Sequence, residues 1–140
     1  MRTDFFDARR EVYVSGPDRQ VSLESQGWLI IAGVDSNDVG AKALKAALSS
    51  PEVVMPSTPY LYNHVVSAML ECGMKEEALA LIEKYWEGML RSGADTFWEV
   101  YNPTNSLAST YGDVHINSFC DAWSCTPAYL LRSVGVDARD

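Results

Sequence analysis

The chain has 140 residues, of which 47% are apolar and 21% charged. That is the length of one domain with enough apolar residues for a core, and it excludes a disordered chain. Eleven basic residues against nineteen acidic ones leave a formal net charge of -8, so the basic surface that a nucleic acid or an anionic membrane requires is absent.

No apolar run is long enough to span a bilayer, and the first residues, Met1 to Asp7, lack the apolar centre of a signal peptide. The compartment stays open. Cys72, Cys120 and Cys125 form no CxxC and no zinc spacing, so all three are expected to be small buried hydrophobes. His64 and His115 stand far apart without an HExxH frame, and no metal site and no cofactor are expected. The glycine-rich phosphate loops and the nucleophile elbow are also missing.

Residues 2 to 20 are polar and mixed, with a turn signal at Ser15-Gly16-Pro17-Asp18. The run Gly27 to Gly33 suits a buried strand or a buried helix. Helix is favoured because Val21, Trp28, Leu29 and Ala32 recur at helical spacing. Ser36 can cap a second helix with Asp38 in its first turn. Gly40, Ala43, Leu44, Ala47 and Leu48 make its small-residue face, Lys42 and Lys45 point away, and Ser49-Ser50-Pro51 ends it.

Thr58-Pro59 is a cap followed by proline, the start of a third helix with Leu61, Val65, Ala68, Met69 and Cys72 in one stripe and Gly73 as its left-handed stop. A fourth helix follows, striped by Ala78, Leu79, Ile82, Tyr85, Trp86, Met89 and Leu90 and stopped at Gly93. Its charged side, Glu76, Glu77, Glu83, Lys84 and Glu87, is a solvated face, and helices three and four make a tight hairpin. Residues 94 to 115 change character, with a turn-rich stretch at 102–106, and a loop of that length between helices tends to be functional. A last helical stretch is expected to put Ile116, Phe119, Cys120 and Trp123 on one face and to break or kink at Pro127, where Thr126-Pro127 repeats the cap-plus-proline start, before Leu130, Leu131 and Val134. No repeat of solenoid period is present.

Phe97, Trp98, Glu99 and Tyr101 crowd one short stretch. A pyranose offers apolar faces that stack on indole and phenol rings, and hydroxyls that need carboxylate and amide partners. Glycoside hydrolysis needs a pair of carboxyls, and an aromatic neighbour can shift a carboxyl towards working pH by desolvation. Glu99 is therefore a candidate functional carboxylate, against the plainer role of a surface glutamate beside a core tryptophan. Asp95 and Asp113 fit turns or caps, His64 fits a structural place, and Tyr60 and Tyr62 flank a helix start where sugar-facing aromatics would fit, with core or rim packing favoured.

The segment Gly93-Ala-Asp-Thr-Phe-Trp-Glu99 resembles the GATTFWE-like motif of the α-L-rhamnosidase family of glycoside hydrolases. Asn117-Ser-Phe-Cys-Asp-Ala-Trp-Ser-Cys-Thr-Pro-Ala-Tyr-Leu-Leu131 resembles that family's SLCHAWS-GPTYLL element. Thr58-Pro59-Tyr60, and Tyr85-Trp86 ahead of Met89-Leu90, fall in the family's order, so the resemblance runs from about residue 21 to the C-terminus. It implies an all-α fold of helical hairpins, part of an (α/α)6 toroid. Residues 1–20 would be an irregular lead-in and residues 21–140 the C-terminal portion of a six-hairpin glycosidase-like catalytic domain.

The resemblance further implies cleavage of terminal rhamnose-like sugars with inversion. Glu99 would be the general base that activates water, Trp98 would line the sugar pocket, and Trp123 would stand near it or in its wall. The family's general acid comes from an earlier barrel loop upstream of this chain, which alone would then not turn over substrate. The family's histidine in the CHAWS element is Asp121 here, which puts Asp121 at a sugar-binding position with altered chemistry and leaves His115 as the candidate substitute. Hairpins lacking their neighbours would expose apolar faces and self-associate. The competing expectation is a non-catalytic helical-hairpin module that binds a peptide or protein. The hairpin at Gly73 and the missing acid–base pair favour it, and the long aromatic-acidic loop counts against it.

Overall fold

The computed structural model describes residues 2–105 and 107–136. Met1, Ser106 and residues 137–140 lie outside the described residues, and with them the last position of the expected 102–106 turn and the outer ends of both expected domains. The chain divides into two compact units, Met1–Pro56 with His64–Lys75 and Ser57–Asn63 with Glu76–Asp140. Helix makes up 51% of the described residues and the single sheet has two short strands, so the all-α expectation holds.

In the first unit the lead-in, expected to be irregular, carries one helical turn, α1 (Arg2–Phe5), and a ribbon of β1 (Phe6–Asp7) and β2 (Val12–Tyr13). The strands pair antiparallel, Phe6 with Tyr13 and Asp7 with Val12. Val12, Tyr13 and Val14 are buried in a row. Their backbone can leave water because the buried Gln26 amide accepts the Tyr13 N–H at 2.8 Å and donates to the Tyr13 carbonyl at 2.9 Å.

Gln26 belongs to α2 (Leu23–Ile31), which Ser22 caps by accepting the Ser25 N–H at 3.3 Å. The helix is the expected one, but its buried face is Leu23, Gln26, Gly27 and Ile30 rather than Trp28, Leu29 and Ala32. Gly27 permits this, since a Cβ there would sit 3.2 Å from the His64 carbonyl oxygen, closer than a side chain ordinarily packs against backbone. Trp28 instead lies 42% exposed, its ring 3.9 Å from that of His64 and its Nε1 donating to Glu24 at 3.0 Å.

Helix α3 (Asn37–Ser49) buries Gly40, Ala43, Leu44 and Ala47 as its spacing predicts, while Leu48 is exposed. Ser36 holds the cap position, yet its hydroxyl makes no cap bond. At α4 (Pro59–Glu71) the Thr58 hydroxyl does accept the Leu61 N–H, at 3.3 Å. Gly73, at φ +73°, closes the turn after α4, with the Met74 N–H on the Met69 carbonyl at 2.9 Å. Cys72 is half-buried, whereas Cys120 and Cys125 are exposed, so the expected buried role fails for those two.

The second unit's long helix is broken where the sequence predicts continuity. α5 (Lys75–Ile82) passes into a π-helical turn, Glu83–Glu87, and then α6 (Gly88–Arg91). The extra residue of a π-turn lets two adjacent rings point inward. Tyr85 and Trp86 are both buried, Tyr85 donating to the Tyr101 carbonyl and Trp86 Nε1 to the Ser124 carbonyl, each at 2.9 Å. Leu90, expected in the stripe, is exposed. Burial pushes the Tyr85 phenol well above its ordinary value.

The expected helix over 116–123 does not form. Two single 3-10 turns, Val114–Ile116 and Ala122–Ser124, stand in its place, and Ile116, Phe119 and Trp123 are exposed. Backbone groups that a helix would pair internally are engaged with residues 97–99 instead. Helix α7 (Pro127–Ser133) begins at Pro127, the expected cap-plus-proline start, so the chain breaks there rather than kinks. Leu130 is its buried anchor.

Candidate functional site

Two loop stretches of the second unit run antiparallel and are zipped by backbone. The Glu99 N–H donates to the Ser118 carbonyl at 2.9 Å and the Asp121 N–H to the Phe97 carbonyl at 2.8 Å. The Thr96 hydroxyl adds a bond to the Phe119 carbonyl. Adjacent side chains on such an extended stretch point to opposite sides, and this separates Trp98 from Glu99.

On one side lies a hollow of about 140 Å³ lined by Thr58, Tyr60, Glu99, Asp121 and Trp123. The Tyr60 and Trp123 rings lean together with centroids 5.1 Å apart, and Trp123 is 67% exposed. An exposed indole supported by a phenol is a surface on which a flat apolar face can stack. Asp121 is oriented by the Ser124 hydroxyl, which donates to its Oδ2 at 2.6 Å.

Glu99 is held at both oxygens. The Ser118 N–H donates to Oε2 at 2.9 Å and the Tyr111 phenol donates to Oε1. The Ser118 N–H first, and then the Tyr111 phenol, hold its carboxyl below the ordinary glutamate value, against a smaller opposing push from burial. The aromatic desolvation expected from the sequence is thus outweighed, and Glu99 is ionised at neutral pH. Glu99 in turn pushes the Tyr111 phenol up.

Trp98 is turned the other way. It lines a second hollow of about 190 Å³ with Tyr101, Asn102, Asn105, Asn117 and Phe119, and its backbone N–H donates to Met89 Sδ at 3.2 Å. His115 is brought to neither hollow. It is exposed and paired with Asp113 through Nδ1 at 2.8 Å, while Asp113 caps the 114–116 turn by accepting the His115 N–H. Of the five candidate residues, then, Glu99, Asp121 and Trp123 converge, and Trp98 and His115 do not.

Sequence reasoning missed Tyr111 as a partner of Glu99, and it favoured packing over a sugar-facing role for Tyr60 and gave Thr58 no place in the site. Tyr60 carried a signal in its place beside a capped helix start. Tyr111 carried none beyond its membership of the long loop. Among the described residues no group of three or more His, Cys, Asp or Glu is placed to hold a metal, and no helix is long and apolar enough to cross a membrane.

No protein-family model matches the chain, nor does any curated protein. Solved structures do. A rhamnosidase from Klebsiella oxytoca with rhamnose bound is 42% identical at a TM-score of 0.90, over 96% of this chain and 26% of its own. A GH78 family rhamnosidase of Bacillus sp. GL1 is 22% identical at a TM-score of 0.74, over 95% of this chain and 15% of its own, and shares the fold. The chain therefore spans about a quarter of the first of these relatives and less of the second.

Proposed function

We propose, for a chain that corresponds to part of an α-L-rhamnosidase-like protein, that the hollow of Glu99, Asp121, Tyr60 and Trp123 is one wall of a sugar site in a whole inverting glycoside hydrolase. Residues 21–140 are in this reading the C-terminal portion of a six-hairpin catalytic toroid, and the substrate is a terminal rhamnose-like sugar. The observation that carries the reading is Glu99, ionised, held at both oxygens and open beside an aromatic pair.

Glu99 acts as the general base. A water O–H gives its proton to the carboxylate as the water oxygen attacks the anomeric carbon from the far side of the leaving group. The glycosidic C–O bond breaks with its electrons on the leaving oxygen, which takes a proton from an acid supplied by the protein outside this stretch. Inverting pairs stand about 6.5–9.5 Å apart to admit that water. Trp123 on Tyr60 receives the apolar face of the sugar, and Asp121 accepts from its hydroxyls. Asp121 accepts hydrogen bonds only, where the family's histidine also donates, so sugar hydroxyls must present donors there. Trp98 supports the loop from behind, and His115 makes no sugar contact in this reading.

Glu99→Gln, placed in a full-length enzyme carrying this stretch, should lose about 10²–10⁴-fold in hydrolysis of an aryl rhamnoside. A near-parental rate would remove Glu99 from the chemistry.

A further inference from the structure

Glu99 owes its posture to one short segment. Residues 109–118 supply both groups that touch its carboxylate, the Tyr111 phenol at Oε1 and the Ser118 N–H at Oε2. The segment is tied to itself around Asn117, which is buried. Asn117 Nδ2 donates to the Ala108 carbonyl at 2.8 Å, and its Oδ1 accepts from the Ser109 hydroxyl at 2.8 Å. Ser109 Oγ accepts the Tyr111 N–H at 3.1 Å, and Gly112 follows at φ +83°, a backbone that favours glycine. Tyr111 is thus anchored at its backbone although 55% of it is exposed.

We propose that Tyr111 is the positioning residue of Glu99, its phenol and the Ser118 N–H forming a pincer that fixes the carboxylate plane and leaves one lone pair on each oxygen for water. This inference rests on the general-base reading of Glu99. A carboxylate held by the single Ser118 bond is free to turn about it, whereas two donors from one anchored segment define a single orientation. The exchange has a chemical consequence. A donor to the charged form lowers proton affinity, so the pincer trades basicity for a carboxylate that stays ionised further into acid.

The other titratable groups around the carboxylate are Asp121 and Tyr60, which line the same hollow, and the Asp113–His115 pair, which lies on the segment itself. What opposes ionisation of Glu99 is burial, and the two donors outweigh it. The low value of Glu99 therefore depends on the donors.

The direct test is a carboxyl carbon-13 titration of Glu99 in the full 140-residue chain, with Tyr111→Phe beside it. The Glu99 midpoint should move upward towards the ordinary glutamate value in the variant, with the buried Trp86 indole resonance unchanged. An unmoved midpoint would overturn the pincer. Should the variant lose its fold, the unaltered chain still decides: the Tyr111 ring carbon bearing the oxygen should show a step as Glu99 titrates, and its absence would overturn the contact. In a full-length enzyme the acid limb of the pH–rate profile should move to higher pH in Tyr111→Phe. If Glu99→Gln abolishes turnover and that limb stays in place, the pincer fails and the base stands. If Glu99→Gln retains turnover, the base reading fails and with it the catalytic sense of the pincer.

Discussion

Between Leu23 and Ser49 the chain buries side chains at helical spacing, with Leu23, Ala43, Leu44 and Ala47 closed to solvent. Between Ala94 and Ser124 it does nearly the reverse, exposing Phe119 and Trp123 and engaging its backbone and polar groups in specific bonds. The first region is held by apolar area and is tightly packed at Gly40, where a Cβ would sit 2.8 Å from Ile30 Cγ1 and force a shift. The second is held by a few directional contacts, and two of them come from the π-turn beneath, at Tyr101 and Ser124. A core is redundant across many weak contacts. A loop held by a few directional bonds is not.

The comparison breaks most readily at Trp86, which belongs to the packed class by burial (2% exposed) and to the loop by its bond to Ser124. Trp86→Ala should cost about 3–5 kcal/mol in urea-induced unfolding. A loss below about 1 kcal/mol would mean that the loop does not depend on the π-turn.

Caps sharpen the contrast between position and bond. Thr58→Ala removes an acceptor for the Leu61 N–H and should cost about 1 kcal/mol. Ser36→Ala occupies the same position of another helix but breaks no cap bond, and should stay within about 0.5 kcal/mol. Equal losses in the same denaturation series would show that the cap position matters more than the hydroxyl contact.

The smallest stability change is expected at Trp123, whose indole is largely in solvent. Trp123→Ala should shift unfolding by less than about 0.5 kcal/mol, while the saturable change of Tyr60 resonances on titration with rhamnose should disappear. A loss of stability as large as that of Trp86→Ala would place Trp123 in the core and remove it from the site.

The helical half of the molecule was legible because burial there follows a period. Gly40, Ala43, Leu44 and Ala47 could be placed before any coordinates, and so could the stops at Gly73 and Gly93, where φ is +73° and +100°. Three departures had one common cause, a contact distant in sequence. Gly27 admits the backbone at His64, which permits α2 to turn away from its expected face. Tyr85 and Trp86 face inward together because each finds a carbonyl in the loop, and the helix takes a π-turn at that point. Residues 117–121 are not helical because their backbone partners are at 97–99.

The candidate site divides along the same line. Glu99 could be singled out by residue type, and Asp121 and Trp123 by resemblance alone. Their convergence in one hollow, the turning of Trp98 to the other side and the removal of His115 to Asp113 could not. By itself the sequence determined most helix positions, their stops and the acidic balance of charge, because these depend on local spacing and side-chain chemistry. Tertiary structure alone decided that Tyr111 and Ser118 meet Glu99 and which ring supports Trp123, because a loop without a period is shaped by whichever distant donors and acceptors satisfy its backbone.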